Sequence, residues 1–516
     1  MKALKKSMIL SISLISIFTI LSRALGLLRD MFIASSFGAT SELDVFNAAS
    51  NIPMILFMAI GTAITTTFIP LYNEKRKISK EEGIKFTNNV LNVFIIGSSI
   101  ITIIFVVFSK PASSFLNPGF NENEIINTAM LTKILLPTLI FNSIIYIFNG
   151  LLQSEGNFAV PAMISLPLNM IIIIYLLLFG NKHGILGLTL ITFIATACQV
   201  LPQIYAMRKE NYKYKFFIDL KDPMLIKMSV MILPVILGTS VQQINSFVER
   251  AFAGGFSAGS LSTLTYSYRV FIIFVDIFAV AISTVVYPMM SKQSANNNIK
   301  EMKETLVKYI SILVVFIIPV TVMVMIHSKS IIFILFERGR FTRESTTLTA
   351  GLLTFYIIGL LPYGIRDFLC KAFYTIKDTK TPMINSGFAM FINIVLIFIL
   401  QRPLGINGIA LANAISTCLA CMLLFISLNR KLKNINNREI IISFCKTIVA
   451  SVFMGFTILL SNKFLNIALD STFIVLIKIS LSSLLGTIVF IVSGYILNIT
   501  QIRNIIMYIN NRKISK

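Results

Sequence analysis

Charge is what this chain has least of. Only 13% of its 516 residues are Asp, Glu, Lys or Arg, against 56% hydrophobic, and its mean hydropathy is +0.83. A soluble domain carries about 25% charged residues, so this scarcity excludes an ordinary soluble fold and places the chain in lipid. Histidine is nearly absent: His183 and His327 are the only two, and neither sits in a metal or base motif. No G-x-x-x-x-G-K-[ST] loop occurs, which excludes an ATPase of the chain's own. Hydrolytic or transferase chemistry needs a base and a nucleophile within reach of each other, and the sequence offers no convincing pair. The reading is therefore a non-enzyme without cofactor or metal.

Cysteine is sparse as well. All five (Cys198, Cys370, Cys418, Cys421, Cys445) lie in apolar stretches. Cys418 and Cys421 form a C-x-x-C without a second pair or a nearby His, so helix packing rather than a metal is their expected role. The start, Lys2–Lys6 followed by Met8–Leu21, resembles a signal peptide, but no A-x-A-like site follows and the apolar run continues to Phe37. It reads as an uncleaved first helix.

What is present in excess is apolar runs and scattered basic loops. A span needs about 20 apolar residues, and about 14 such segments are found. Several exceed 25 residues, so tilt or breaks are expected. The net charge of +23 does not form one patch, which excludes nucleic-acid binding. Alternate loops, from the N-terminus to Arg503–Lys516, hold 29 Lys and Arg; the opposite set holds 8. By the positive-inside rule both termini are cytoplasmic, in agreement with an even span count. The Arg338–Arg343 cluster is the one outer loop against the trend.

The two halves match at an offset of 221 residues: Phe115–Phe120 with Phe336–Phe341, Pro161 with Pro382, Gly184 with Gly405, Gly187 with Gly408, and Arg29 with Arg250. A repeat of six spans enters the membrane twice in the same sense, giving parallel repeats about an axis along the membrane normal. The expected fold is all-α and polytopic: a lobe over 1–215 (helices 1–6), a second over 216–435 (helices 7–12), and a C-terminal helix pair with a basic tail over 436–516.

Charges inside the spans carry the functional reading. An Arg or Asp at the bilayer centre costs about 2.5–3.5 kcal/mol, so it faces a cavity or a partner. The first helix holds Arg23, Arg29 and Asp30. Arg23 and Asp30 share a face, while Arg29 lies about 120° from Arg23 on a regular helix. The two arginines converge on one ligand only if the helix bends, with Gly26 as the hinge. Asp44 follows at the outer loop. In the second half Glu249-Arg250 and Arg269 fall within spans, with Asp276 beyond, and Arg366-Asp367 occupy the tenth. Guanidinium stays charged and grips phosphate oxygens in pairs, so Arg23, Arg29, Arg250 and Arg269 fit a phosphate or diphosphate ligand. The competing reading is salt-bridging of Arg29 to Asp30 or Asp44, and of Arg250 to Glu249. Asp367 and Glu249 are candidate ion or proton sites. Lys133 and Lys478 lie nearer helix ends, where they snorkel.

Ser22-Arg-Ala-Leu-Gly-Leu-Leu-Arg-Asp30, with Phe37-Gly-Ala and Asp44, resembles the MurJ (MviN) family. These are the lipid II flippases of the multidrug/oligosaccharidyl-lipid/polysaccharide exporter superfamily. The resemblance extends through Ile52-Pro53, Phe68-Ile-Pro70, Tyr268-Arg269, Phe336–Thr342 and Ala372-Phe-Tyr to Pro382. It implies a V-shaped pair of lobes around a cationic cavity and a tail groove on the last two helices. It also implies functional roles for Arg23, Arg29, Asp30, Asp44 and Arg269. The family often carries an arginine in the second helix shortly after the Pro, where this chain has Met54–Met58. One candidate phosphate ligand is thus missing; lipid II stays the first reading, and a flippase for another undecaprenyl-linked glycan is the alternative this gap supports.

The expected activity is alternating access: the inner-leaflet headgroup binds Arg23, Arg29 and Arg269, the lobes rock, and the headgroup leaves outside while the tail stays in lipid. A diphosphate of charge near −2 gains about 4–5 kcal/mol across 100 mV, and a cation gradient adds to this. The expected partners are the undecaprenyl-diphosphate-linked glycan, the bilayer and cell-wall synthesis machinery, with the chain working as a monomer in the bacterial cytoplasmic membrane. A cation-coupled drug exporter would fill the cavity with carboxylates. A polytopic glycosyltransferase would need an acidic outer-loop motif, for which Glu42, Asp44, Glu122 and Glu124 are weak material.

Overall fold

In the computed structural model, the described residues are 2–433, 435–467, 471–504 and 507; side chains are described for these except 2–16, 58–60, 62–63, 233–234, 237–242, 280–282 and 284–285. Most of the basic tail expected at the C-terminus lies outside them. Every regular element among the described residues is a helix. Contacts divide the chain into a first unit, 1–262 with Arg338–Phe341, and a second, 263–337 with 342–516.

The first unit opens with α1 (Lys2–Phe37), α2 (Ser41–Arg76), α3 (Lys80–Val107) and the short α4 (Ser109–Leu116). Then come α5 (Glu122–Leu135), α6 (Thr138–Ser154), α7 (Ala159–Met163), α8 (Ser165–Phe179), α9 (Gly184–Cys198), α10 (Val200–Lys209) and α11 (Pro223–Ala253). The helix starts follow local chemistry. Thr40 and Ser79 accept the N–H groups of Leu43 and Glu82. Asn121 and Glu124 form a reciprocal capping box, and Asp222 with Pro223 opens α11. Phe68 and Phe86 stack at 5.7 Å between ring centroids in the core that joins α2, α3 and α6. Gly150 makes room for Phe68, since a Cβ there would sit 2.8 Å from its ring.

The segment between α10 and α11 is extended and is held by side chains of α3. Buried Asn89 accepts the Asp219 N–H at 2.7 Å and donates to its carbonyl at 2.9 Å. Asn88 and Asn92 donate to the carbonyls of Lys213 and Phe217 at 3.3 and 3.1 Å. An unpaired backbone group is costly when buried, and these amides supply the partners that a sheet would.

The second unit holds the continuation of α12 (Ser260–Phe274), a π-helical turn at Val275–Val280, α13 (Ala281–Ala295), α14 (Ile299–Phe336), α15 (Arg343–Ile358) and α16 (Leu360–Thr375). It ends with α17 (Lys380–Leu404), α18 (Asn407–Leu432), α19 (Asn437–Phe464) and α20 (Thr472–Ile496). Val315, Met454, Ile458 and Phe490 form the core where α14, α19 and α20 meet. Cys418 and Cys421 both lie on α18, the first half-buried and the second buried, as helix packing requires.

Among the described residues nine helices are long and apolar enough to cross a bilayer, or eleven if each bent pair is one span. The bent pairs are α5–α6, at 42°, and α15–α16, at 43°. Pro137 stands at the first break and Gly359 at the second, almost one repeat length apart. The repeat also shows in the backbone: Gly184 and Gly405 adopt φ of +59° and +57°, a region that L side chains enter only with strain. The helices α1 and α2, of 36 residues each, and α11, of 31, exceed the length a bilayer needs.

Candidate functional site

In the first unit Arg29 of α1, paired with Asp30, meets a residue from α8. Arg29 donates to Asp30 Oδ1 from Nη2 at 2.7 Å and from Nε at 3.1 Å. Its Nη1 donates to Asn169 Oδ1 at 3.1 Å. Asn169, 97% buried, in turn donates to the Ser22 carbonyl at 3.3 Å, so one amide spans two turns of α1. Gly26 lies between them, its Cβ position 3.8 Å from Asn169 Nδ2, within an uninterrupted helix. Asn169 brings together Ser22, Gly26 and Arg29, and no local sequence signal marks it. Arg23, one residue on from Ser22, is exposed.

Arg29 is thus both salt-bridged and available. A guanidinium has five N–H donors, and three of them are engaged here. The Asp30 carboxylate fixes the guanidinium plane, and two donors remain for a ligand.

Asp44 does not meet Arg29. Its carboxylate, 96% buried, accepts the N–H of Gly259 and the N–H of Ser262 at 2.7 Å each, and the Ser262 hydroxyl at 2.5 Å. It therefore caps the first turn of α12 from another helix, supplying negative charge where the orphan N–H groups and the helix dipole call for it. Asn47, one turn further along α2, donates to Ser262 Oγ at 3.1 Å. Gly259 has φ of +87°, and a Cβ there would meet the Ala39 carbonyl at 2.2 Å. Its partner at the repeat offset, Gly38, has φ of +69° and abuts the Arg340 carbonyl.

The loop of Arg338–Phe341 docks on the end of α1, where the Arg340 N–H donates to the Ser35 carbonyl at 2.8 Å. The repeat-equivalent loop puts Gly119 against Gly255, with a Cβ position only 2.2 Å from its Cα. The arginine-bearing loop that breaks the charge pattern is thus anchored through backbone.

Glu249 is buried and accepts from Asn245 Nδ2 at 2.9 Å; Arg250 beside it is half-buried. In the second unit Arg269 lies exposed on α12. Asp367 Oδ2 accepts from Lys371 Nζ at 2.9 Å and Ser283 Oγ at 2.5 Å, and Lys371 also donates to Ser283 at 3.0 Å. The neighbouring Arg366 donates to Ser386 at 2.9 Å. Lys371 follows Asp367 by four residues, the spacing that pairs charges on a helix, and this signal stood in the sequence. Lys478 donates to the Asn466 carbonyl at 2.8 Å near the start of α20, and Lys133 is exposed.

Comparison with known proteins bears on these charges. A protein named probable lipid II flippase MurJ, from Rickettsia prowazekii, is 29% identical over 500 residues, 95% of this chain and 98% of its own length. A solved lipid II flippase MurJ in an inward closed conformation matches with a TM-score of 0.80 at 28% identity, covering 96% of this chain and 99% of that one. An inward-facing multidrug resistance MATE family transporter of the MOP superfamily matches at a TM-score of 0.67 and 14% identity, over 80% and 94% of the two chains. That second likeness is one of fold alone. The family model described as lipid II flippase MurJ covers residues 33–480, and with that extent of match this chain belongs to the MurJ family of membrane transporters.

Proposed function

We propose that this chain moves lipid II from the cytoplasmic to the outer leaflet of the bacterial inner membrane, using the α1 arginines to hold the diphosphate. The observation that carries this reading is the state of Arg29: charged, oriented by Asp30 and Asn169, with two N–H donors to spare. Such a group binds phosphate oxygens without leaving a lone cation in the bilayer when the ligand departs. Arg23 and Arg269 add charge to the same ligand, and Arg250 is its repeat counterpart.

The transport cycle is alternating access between lobes over 1–215 and 216–435, with the pair over 436–516 serving the tail. Our count of 14 spans adds the long helices α1, α2 and α11 to the eleven. Both termini face the cytoplasm. In this reading Gly26 is the point at which the continuous α1 bends during transport, and Asp44 serves gating through its cap on α12. The membrane potential drives the anionic headgroup outward, and Asp367 and Glu249 are the carboxylates through which a cation would couple. Met54–Met58, lacking the arginine common in the family, is the feature that keeps another undecaprenyl-linked glycan as the second reading.

The test is complementation in a bacterium depleted of its own lipid II flippase. Rescue by the wild-type chain, and failure by well-expressed Arg23→Ala, Arg29→Ala and Arg269→Ala variants, supports the reading. Failure of the well-expressed wild-type chain moves the substrate to the other glycan class.

A further inference from the structure

A groove of about 760 Å³ lies wholly within the second unit, and none of the charged residues assigned above lines it. One wall is a single face of α14, on which Lys300, Lys303, Val307, Lys308, Ile312 and Phe316 recur at helical spacing. The other wall is the start of α19, at Asn436 and Glu439, and the segment Thr500–Asn504 after α20. Polarity changes along the groove. Lysines run from Lys300 to Lys308 along about 12 Å of the helix, and Ile312 and a 43% exposed Phe316 lie along about the next 12 Å at 1.5 Å per residue. A smaller adjoining groove of about 260 Å³ shares Asn436, Glu439 and Thr500 and adds Arg438 and Lys446.

The charge balance is basic. Five basic side chains face two carboxylates, Glu304 and Glu439, and among the described residues neither carboxylate forms an ion pair with a groove lysine. Lys303 lines the groove and donates to the Lys433 carbonyl at 2.6 Å, which leaves its ammonium two further donors. Lys300 and Lys308 are exposed. A ligand for this groove carries an anion at one end and hydrocarbon at the other.

We propose that the groove binds one anionic glycerophospholipid, its phosphodiester on Lys300, Lys303 and Lys308 and an acyl chain along Ile312 and Phe316. Juxtamembrane lysines attract acidic headgroups, and their stems cover apolar surface while the ammonium stays in the headgroup layer. The lipid lies beside the joint of α14, α19 and the segment beyond α20, where Ile499 and Ile502 already pack with Val315. The inference does not depend on the transported substrate.

The test uses the full chain, purified in detergent and studied by native mass spectrometry with dioleoyl-phosphatidylglycerol. The wild type is expected to retain one such lipid. The Lys300→Gln/Lys303→Gln/Lys308→Gln variant is expected to bind it at least ten-fold more weakly, and Lys110→Gln/Lys182→Gln is expected to match the wild type. Dioleoyl-phosphatidylcholine and soluble glycerol 1-phosphate should not displace the bound lipid. Equal retention by wild type and triple variant overturns the proposal. Equal competition by phosphatidylcholine overturns the anionic specificity, and displacement by glycerol phosphate overturns the lipid in favour of a simple anion site. If the triple variant does not fold, the exposed single swap Lys308→Glu, expected to weaken binding, replaces it. Glu304→Gln, which removes an opposing charge, is expected to strengthen retention, and unchanged retention in both single variants counts against the proposal.

Discussion

Replacing Asp44 tests whether a buried carboxylate on α2 holds the start of α12. The side chain is 4% exposed and accepts from two backbone N–H groups and one hydroxyl. In Asp44→Ala the N–H groups of Gly259 and Ser262 lose their acceptor. Deleting a cap costs about 0.5–2 kcal/mol, and each buried donor left unpaired costs about 1–3 kcal/mol. Part of this is recovered by water or rearrangement, so a loss of about 2–4 kcal/mol is expected. Asp44→Asn keeps one acceptor oxygen and places an NH2 against donors, for an expected loss of about 1–2 kcal/mol. Ser262→Ala removes only the hydroxyl contact. Thermal or denaturant unfolding in a fixed detergent, on both single variants and the double, gives the pairwise coupling. Residues in direct contact couple by about 0.5–3 kcal/mol. Additive effects, or an Asp44→Ala loss within about 0.5 kcal/mol of zero, would refute the cap.

Three further outcomes follow from particular contacts. Gly119→Ala places a Cβ 2.2 Å from the Gly255 Cα, so backbone must move; a loss of about 1–3 kcal/mol in the same unfolding assay is expected, whereas Gly97→Ala, with nothing within 4 Å, should be neutral or stabilising. Asn89→Ala orphans both backbone groups of Asp219, so hydrogen exchange of residues 212–219 should rise by at least ten-fold while α9 stays protected; unchanged exchange contradicts the asparagine anchor. In the loop before α17, desolvation works to raise the Asp378 carboxyl, but hydrogen bonds from Lys431 and Thr381 outweigh it and hold it at about 2, below its ordinary 3.8. A lowered carboxyl stabilises the fold above its unfolded value and ceases to do so as pH falls through the folded one. Wild type should therefore lose stability relative to Asp378→Asn between about pH 4 and pH 2, and parallel curves for the two would contradict the bridge.

Much of the architecture was legible because lipid imposes simple rules. Low charge, long apolar runs and alternating loop basicity fix an all-helical membrane chain before any contact is known. The repeat was legible too, since Gly184 and Gly405 share a left-handed backbone. The same offset joins Gly38 to Gly259, a pair that does not show in the sequence because glycine alone does not announce a close approach. The Arg29–Asp30 bridge needed only adjacency. The role of Asn169 did not show, because it acts 140 residues away from Arg29 and a buried amide leaves no local pattern. Asp44 was marked by resemblance, yet its partners, 215 and 218 residues distant, come only from packing. Lys371 is legible beside Asp367, because the two stand at the spacing that pairs on a helix. The span breaks were half legible, Pro137 being a known helix breaker and Gly359 a milder one.

The most direct test of the central claim is transport itself, in proteoliposomes with an imposed potential and lipid II labelled on its headgroup. The readout is the fraction of label reached by a membrane-impermeant quencher over time. The account predicts that wild type exposes headgroups faster than protein-free vesicles, that Arg29→Ala falls to the protein-free rate, and that Asn169→Ala slows exposure without abolishing it. Headgroup exposure by Arg29→Ala at the wild-type rate would contradict a diphosphate held on α1.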